Sequence, residues 1–234
     1  MRQHQFLKTI GSSAALALLV LVGMLITSRH GQASGQNAGQ NDGDDEASEI
    51  RRGFAIAPVP LNLEGKNRAL VGLGSYIVNA QGDCNGCHSA GPATEFAVGG
   101  NPYFGQPTKI NPATYLGGSR DFGPFPGPGP FPHIISRNLT PDKTGRPEGG
   151  HTFEEFAQIM RTGVDMDHLH PTCTGPPDGT CLPPPFDGAL LQIMPWPIYR
   201  NMTHHDLRAI YEYLSTIPCI AGPPAPDPRH NDCE

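Results

Sequence analysis

The chain has 234 residues, of which 29 are Gly and 26 are Pro, and only 37% are hydrophobic. Glycine and proline together approach twice their usual share of about 12%, so the core must be small for the length and long loops are expected. That argues against a large α/β enzyme or a transporter. A formal charge of −6 without any basic run argues against nucleic acid as a partner.

Arg2 and Lys8 precede an apolar run of 17 residues, from Ile10 to Ile26. A basic stretch followed by an apolar one is the layout of a secretory signal, and the run is just short of the about 20 residues that span a bilayer as a helix. Gly31-Gln32-Ala33 offers small residues for cleavage after Ala33. Residues 1–33 are therefore read as a signal peptide or membrane anchor, with residues 10–26 as the segment that would associate with the membrane. Residues 34–66 are read as a flexible acidic linker and lead-in, because Asp42, Asp44, Asp45 and Glu46 stand among Gly, Gln, Asn and Ser with too little apolar surface to order the chain.

From Asn67 to Ala80 the spacing predicts a first helix, with Leu70, Leu73, Tyr76 and Ile77 facing the core. Gly72 and Gly74 each cost helix propensity of about 1 kcal/mol, a cost that makes sense where another helix crosses at close range.

The chemistry starts at Cys84-Asn85-Gly86-Cys87-His88, an attachment pattern for a c-type haem. Two thiols separated by two residues on one helical turn can add to two vinyl groups of one porphyrin, and the next residue then lies under the iron. A zinc ribbon would need a second close cysteine pair, and a thioredoxin-like dithiol would need a βαβ setting; the sequence has neither. The pattern predicts one haem c, covalent through Cys84 and Cys87, with His88 as the proximal ligand.

Residues 94–132 hold 8 Pro and 8 Gly, and residues 171–192 hold Cys173, Cys181 and further prolines. Loops this long are usually functional or disordered. Thr152-Phe153-Glu154-Glu155 is a capping box for a helix that stops at Gly163, and Thr203 caps a last helix that places Leu207, Ile210, Tyr211 and Leu214 on one face. No segment alternates with period two, so the fold is read as all-α. Cys173, Cys181, Cys219 and Cys233 allow three pairings, of which the local one closes two short loops. The last residues, 219–234, form a Pro-rich tail with a disulfide in that pairing.

Among candidates for a sixth iron ligand, Met160 lies in a helical pattern and Met202 sits just before a cap. Met194, in Ile193-Met194-Pro195-Trp196-Pro197, is biased toward an extended backbone by Pro195. It is preferred on chemistry, with His168 and His170 as alternatives.

As a set, these residues resemble a known family. Cys84-Asn85-Gly86-Cys87-His88, Arg137-Asn138-Leu139-Thr140-Pro141-Asp142, Met160-Arg161-Thr162-Gly163, His168-Leu169-His170-Pro171 and Met194-Pro195-Trp196 follow one another as in a class I monohaem cytochrome c domain. The likeness is to cytochrome c subunits of bacterial membrane-bound alcohol and aldehyde dehydrogenases, and it covers residues 67–218. It implies a cytochrome c-like helical fold around one haem, with the first and last helices crossing and His88 and Met194 as axial ligands. It further implies Asn138 and Thr140 as hydrogen-bond donors to the haem propionates, Arg161 as their neutralising charge, and Trp196 as pocket wall. His170 stands where the family carries tyrosine.

The function expected is single-electron transfer between respiratory partners, dehydrogenase or terminal oxidase components, outside the cytoplasmic membrane. No residue need act as acid, base or nucleophile. Two other readings exist: a small haem oxidoreductase or sensor with a labile sixth ligand, for example acting on a sulfur compound, and a Pro-rich envelope scaffold.

Overall fold

In the computed structural model, which describes residues 38–225, 227 and 229–234, the helices meet at glycines. Helix α1 spans Ala38–Ile56, α2 spans Arg68–Tyr76, and α7, the last, spans His204–Leu214. Asn67 caps α2 by accepting from the backbone N–H groups of Ala69 and Leu70. A Cβ on Gly72 would lie 2.7 Å from Ile50 Cγ2 of α1, and one on Gly53 would lie 2.8 Å from the Tyr76 nitrogen. On the other side of α2, a Cβ on Gly74 would collide with the Ala209 carbonyl and lie 2.8 Å from Tyr213 Cβ of α7. The two glycines thus serve two different helices, α1 and α7. In a chain poor in apolar residues, close backbone approach supplies dispersion contacts that side-chain area does not.

The chain forms two units, Met1–Asp45 and Glu46–Glu234, and the functional residues lie in the second. The apolar run 10–26 and Ala33 fall outside the described residues; among the described residues no helix is long and apolar enough to cross a membrane. Within the segment expected as a flexible linker, α1 continues to Ile56, and Ile50, Phe54, Leu61 and Leu63 pack on the core.

Helix α2 does not stop at Tyr76 but widens into a π-turn over Ile77–Gln81, a distortion common at functional sites. It leads into α3, the single turn Cys84–Cys87. A further single turn, α4, spans Pro92–Glu95. Helix α5 spans Phe153–Thr162 with the expected capping box, both Thr152 and Glu155 contributing, and ends at Gly163 with φ 72°. The turn α6, Trp196–Tyr199, leads to α7, which carries a second capping box from Thr203 and Asp206. Thr152→Ala removes a side-chain acceptor at the head of α5; stability in urea is expected to fall by about 1 kcal/mol, with little change in cofactor spectra.

The core joins Val71, Leu73, Ile77 and Val78 to Leu207, Ile210 and Leu214, with Phe153, Phe156 and Met160 closing one side. Leu70, Tyr76 and Tyr211, expected on buried faces, are only half-buried, whereas Tyr213 is fully buried. There the Tyr115 and Tyr213 hydroxyls meet at 2.7 Å, and Tyr115 donates to Asn79 Oδ1.

The all-α expectation is corrected by the structure. Helices cover only a minority of the described residues, and strand β1, Asp121–Pro124, pairs antiparallel with β2, His133–Ile135. Isolated bridges join Ser89 to Gly118, Phe96 to Ile110, Val164 to Leu190 and Thr172 to Leu182. Proline density explains this: each proline in residues 94–132 and 171–192 removes an N–H donor and blocks a helix interior, so helical turns there stay short and extended stretches find partners across short ribbons. Strands of three or four residues are too short to display a period-two pattern. The disulfides take the local pairing, Cys173–Cys181 and Cys219–Cys233.

Candidate functional site

Because α3 is one helical turn, Cys84 and Cys87 fall on the same side of it. They are the two free cysteines. Burial, reinforced by the negative charge of Asp83, pushes the Cys84 thiol up to about 12. Burial also raises Cys87, against the opposing pull of Arg120. Both groups are therefore thiols at neutral pH.

His88 follows directly, its backbone N–H donating to the Cys84 carbonyl at 2.9 Å. Its Nδ1 lies 2.7 Å from the Arg137 carbonyl oxygen. Burial pushes the imidazole below its ordinary value, so it is neutral near pH 7. A carbonyl only accepts, so Nδ1 carries the hydrogen and donates, which leaves the lone pair on Nε2, the arrangement a metal-ligating histidine needs.

These residues border a cavity of ≈ 330 Å³. Ile77 and Val78 from the π-turn, Phe156 and Met160 from α5, and Ile210 and Leu214 from α7 line its helical side. Its other walls come from the extended segments, through Ile134, Leu139, Leu182 and Leu190. Tyr199 also borders it, held by donating to the Gly82 carbonyl at 3.0 Å.

Met194 lines this same cavity. Its N–H donates to the Gln192 carbonyl at 2.8 Å, and the preceding Ile193 has φ 68°, a sparsely populated region for a β-branched residue. Met160, Met202 and His170 reach the wall too, whereas His168 does not. The sequence placed Met160 and Met202 in plain structural roles; tertiary folding brings both to the cavity.

Four other expected site residues lie outside the lining. Asn138 donates to the Ile220 carbonyl at 2.7 Å, and its Oδ1 accepts from the Thr140 hydroxyl at 2.8 Å. Thr140 Oγ1 accepts in turn from the Ile220 N–H at 3.0 Å. Asn231 donates to the Thr140 carbonyl at 2.9 Å, so this pair anchors the C-terminal segment. Arg161 donates to the Arg200 carbonyl at 3.1 Å. Trp196 donates to the Leu191 carbonyl at 3.2 Å and packs on Gly163, where a Cβ would strike its ring.

The polar part of the wall was not foreseen. Arg137 pairs with Asp165 and with Asp167, each at 2.7 Å, and Glu148 stands in the same wall. Burial pushes the Glu148 carboxyl up to about 7, with Arg137 opposing and the two aspartates adding to the rise. The need of a ligating histidine for a buttress was the one available signal for Arg137; nothing local marks Glu148 or Asp165. Among the described residues there is no cluster of three or more His, Cys, Asp or Glu side chains that could hold a metal ion.

Two thiols on one turn, a neutral imidazole with a free Nε2 and an apolar cavity with a thioether in its wall fit a covalently held haem. The chain is also similar in sequence to known proteins. The chain is 29% identical over 150 residues to the gluconate 2-dehydrogenase cytochrome c subunit of Pantoea cypripedii, covering 63% of this chain and 23% of that protein. It is 28% identical over 168 residues to the cytochrome c subunit of the quinone alcohol dehydrogenase of Gluconacetobacter polyoxogenes, covering 72% and 25%. With the fructose dehydrogenase cytochrome subunit of Gluconobacter japonicus it shares 25% over 160 residues, covering 68% and 24%. The chain spans about a quarter of the length of these curated relatives. No family model and no solved structure matches. By sequence, the chain thus shows weak similarity, 25–29% identity, to cytochrome c subunits of bacterial dehydrogenases.

Proposed function

We propose that the protein is a c-type cytochrome that carries single electrons between redox partners outside the cytoplasmic membrane. The observation that carries this reading is the meeting of Cys84, Cys87, His88 and Met194 at one apolar cavity. Cys84 and Cys87 would hold haem c through thioether bonds, and the bound group supplies a one-electron ferric/ferrous couple. His88 offers Nε2 as the proximal ligand while the Arg137 carbonyl fixes its ring and tautomer. Met194 offers a soft thioether, which favours the reduced state and raises the potential. The apolar wall keeps water from the metal centre and lowers the local dielectric.

Dehydrogenase components are the partners this reading favours, because the relatives bear the names of dehydrogenase subunits. With a formal charge of −6, the protein would meet a partner with a basic face, the charge acting mainly on the association rate. Residues 10–26 would export the chain or hold it to the membrane.

The test is a visible spectrum of the exported protein, oxidised and dithionite-reduced. A sharp c-type α band on reduction, with covalent haem stain on a denaturing gel, is expected. No covalent haem in the exported protein would sink the reading. A second reading, bis-histidine ligation through His170, is favoured by the place of that side chain in the cavity wall; it predicts the α band without the near-infrared absorption of thioether ligation.

A further inference from the structure

We propose that the protein takes up a proton at Glu148 when it accepts an electron, so that electron transfer is coupled to proton transfer. The inference rests on the carrier reading above and goes beyond it. Glu148 sits in the turn Pro147–Gly150 with φ 51° and ψ 58°. Left-handed backbone is costly for a residue with a side chain, yet this turn sets a glutamate into the wall of the cavity that takes the cofactor.

The groups facing it are unbalanced. Arg137 is the cation that acts on it, but its Nη2 donates to Asp165 at 2.7 Å and its Nη1, which has no hydrogen-bond partner, lies 2.7 Å from Asp167. Asp165 also accepts from the backbone N–H groups of Asp167 and Leu169. Glu148 is therefore the third carboxyl around one guanidinium, and no hydrogen bond to its carboxylate is found among the described residues. His170 shares the wall, and burial keeps its ring toward the neutral form. On the flanks of the turn itself, Arg146 is exposed, and His151 lies 3.8 Å from Glu155 of α5 and accepts at its carbonyl from Tyr211 of α7.

Reduction removes one positive charge from the cavity, which makes the Glu148 carboxylate less favourable. One electron enters from the donor protein, and one proton from solvent joins the carboxylate; both leave on reoxidation. The sign follows by linkage. The reduced protein holds the proton more tightly, so the potential falls as pH rises between the Glu148 pKa of the oxidised state and that of the reduced state, and is flat outside that window. Burial raises the carboxyl to about 7, so the titration is centred on neutral pH.

The experiment is a redox titration of the haem-loaded protein across pH, together with redox-induced infrared difference spectra. The midpoint potential is expected to fall with rising pH near neutrality, with a slope approaching ~59 mV per pH unit for one proton per electron. Glu148→Gln is expected to flatten that dependence near the acid-limb potential while keeping the visible spectrum. On reduction, the unsubstituted protein is expected to gain the C=O band of a protonated carboxyl, which the variant lacks. A pH-independent potential near neutrality, an unchanged slope in Glu148→Gln, or the absence of that infrared band would each overturn the inference. Should that variant fail to fold, Glu148→Asp decides, since it keeps a carboxyl at this position and is expected to shift both the band and the pH range of the falling potential. A protein with a reversible haem couple but no such coupling loses only this inference; a protein without covalent haem loses the carrier reading itself.

Discussion

Met194→Ala is expected to keep its covalent haem and lose the weak near-infrared band of a thioether bound to ferric iron. In the proposed carrier, attachment would depend on Cys84 and Cys87, which lie on a separate turn, so the substitution would leave the cofactor in place. With the sulfur gone, water or another cavity side chain would take the open position, and the potential should fall by a substantial part of the about 0.8 V span that axial ligation commands. Carbon monoxide should then bind the reduced protein readily. Because Met160 and Met202 also line the cavity, the comparison that matters is with Met160→Leu and Met202→Leu. Both are expected to keep the band and the potential, with losses of under about 1.5 kcal/mol in stability, as for volume-conserving swaps. Loss of the band in Met202→Leu but not in Met194→Ala would move the ligand to Met202.

Gly74→Ala is expected to destabilise the fold by about 2–4 kcal/mol in chemical denaturation. Alanine is the better helix former by about 1 kcal/mol, so propensity alone predicts the opposite sign. The clash is with backbone: the new Cβ would overlap the Ala209 carbonyl and press on Tyr213 Cβ at 2.8 Å, and neither can rotate away. Helices α2 and α7 must then separate, which loosens Leu207, Ile210 and Tyr213. Since α2 runs through the π-turn to Cys84, haem incorporation should fall as well. Gly127→Ala is the control, as a Cβ there meets nothing within 4 Å. It should be neutral or slightly stabilising, through a less flexible unfolded chain.

What was legible in the sequence is what short-range chemistry encodes. The single turn that carries Cys84 and Cys87, the capping boxes at Thr152 and Thr203, and the stop at Gly163 each depend on residues within four positions of one another. Such features read directly because their hydrogen bonds and helical spacing are local. The glycines of α2 announced a close crossing, but not that Gly72 serves α1 and Gly74 serves α7; a missing side chain marks an approach without naming its partner.

The tertiary structure alone decided the rest. It showed that extended, proline-rich segments supply the non-helical cavity wall, which corrected the all-α expectation. It set the hydrogen-bonding groups of Asn138 and Thr140 against Ile220 and Asn231. It brought Arg137 to His88 across 49 positions and to Asp165 across 28, and it set Glu148 beside them. Contacts at such separation depend on how all the intervening segments pack, and each segment on its own is compatible with many partners. The sequence by itself thus determined where the two free thiols and the histidine stand on one local turn, and folding determined which charges surround them.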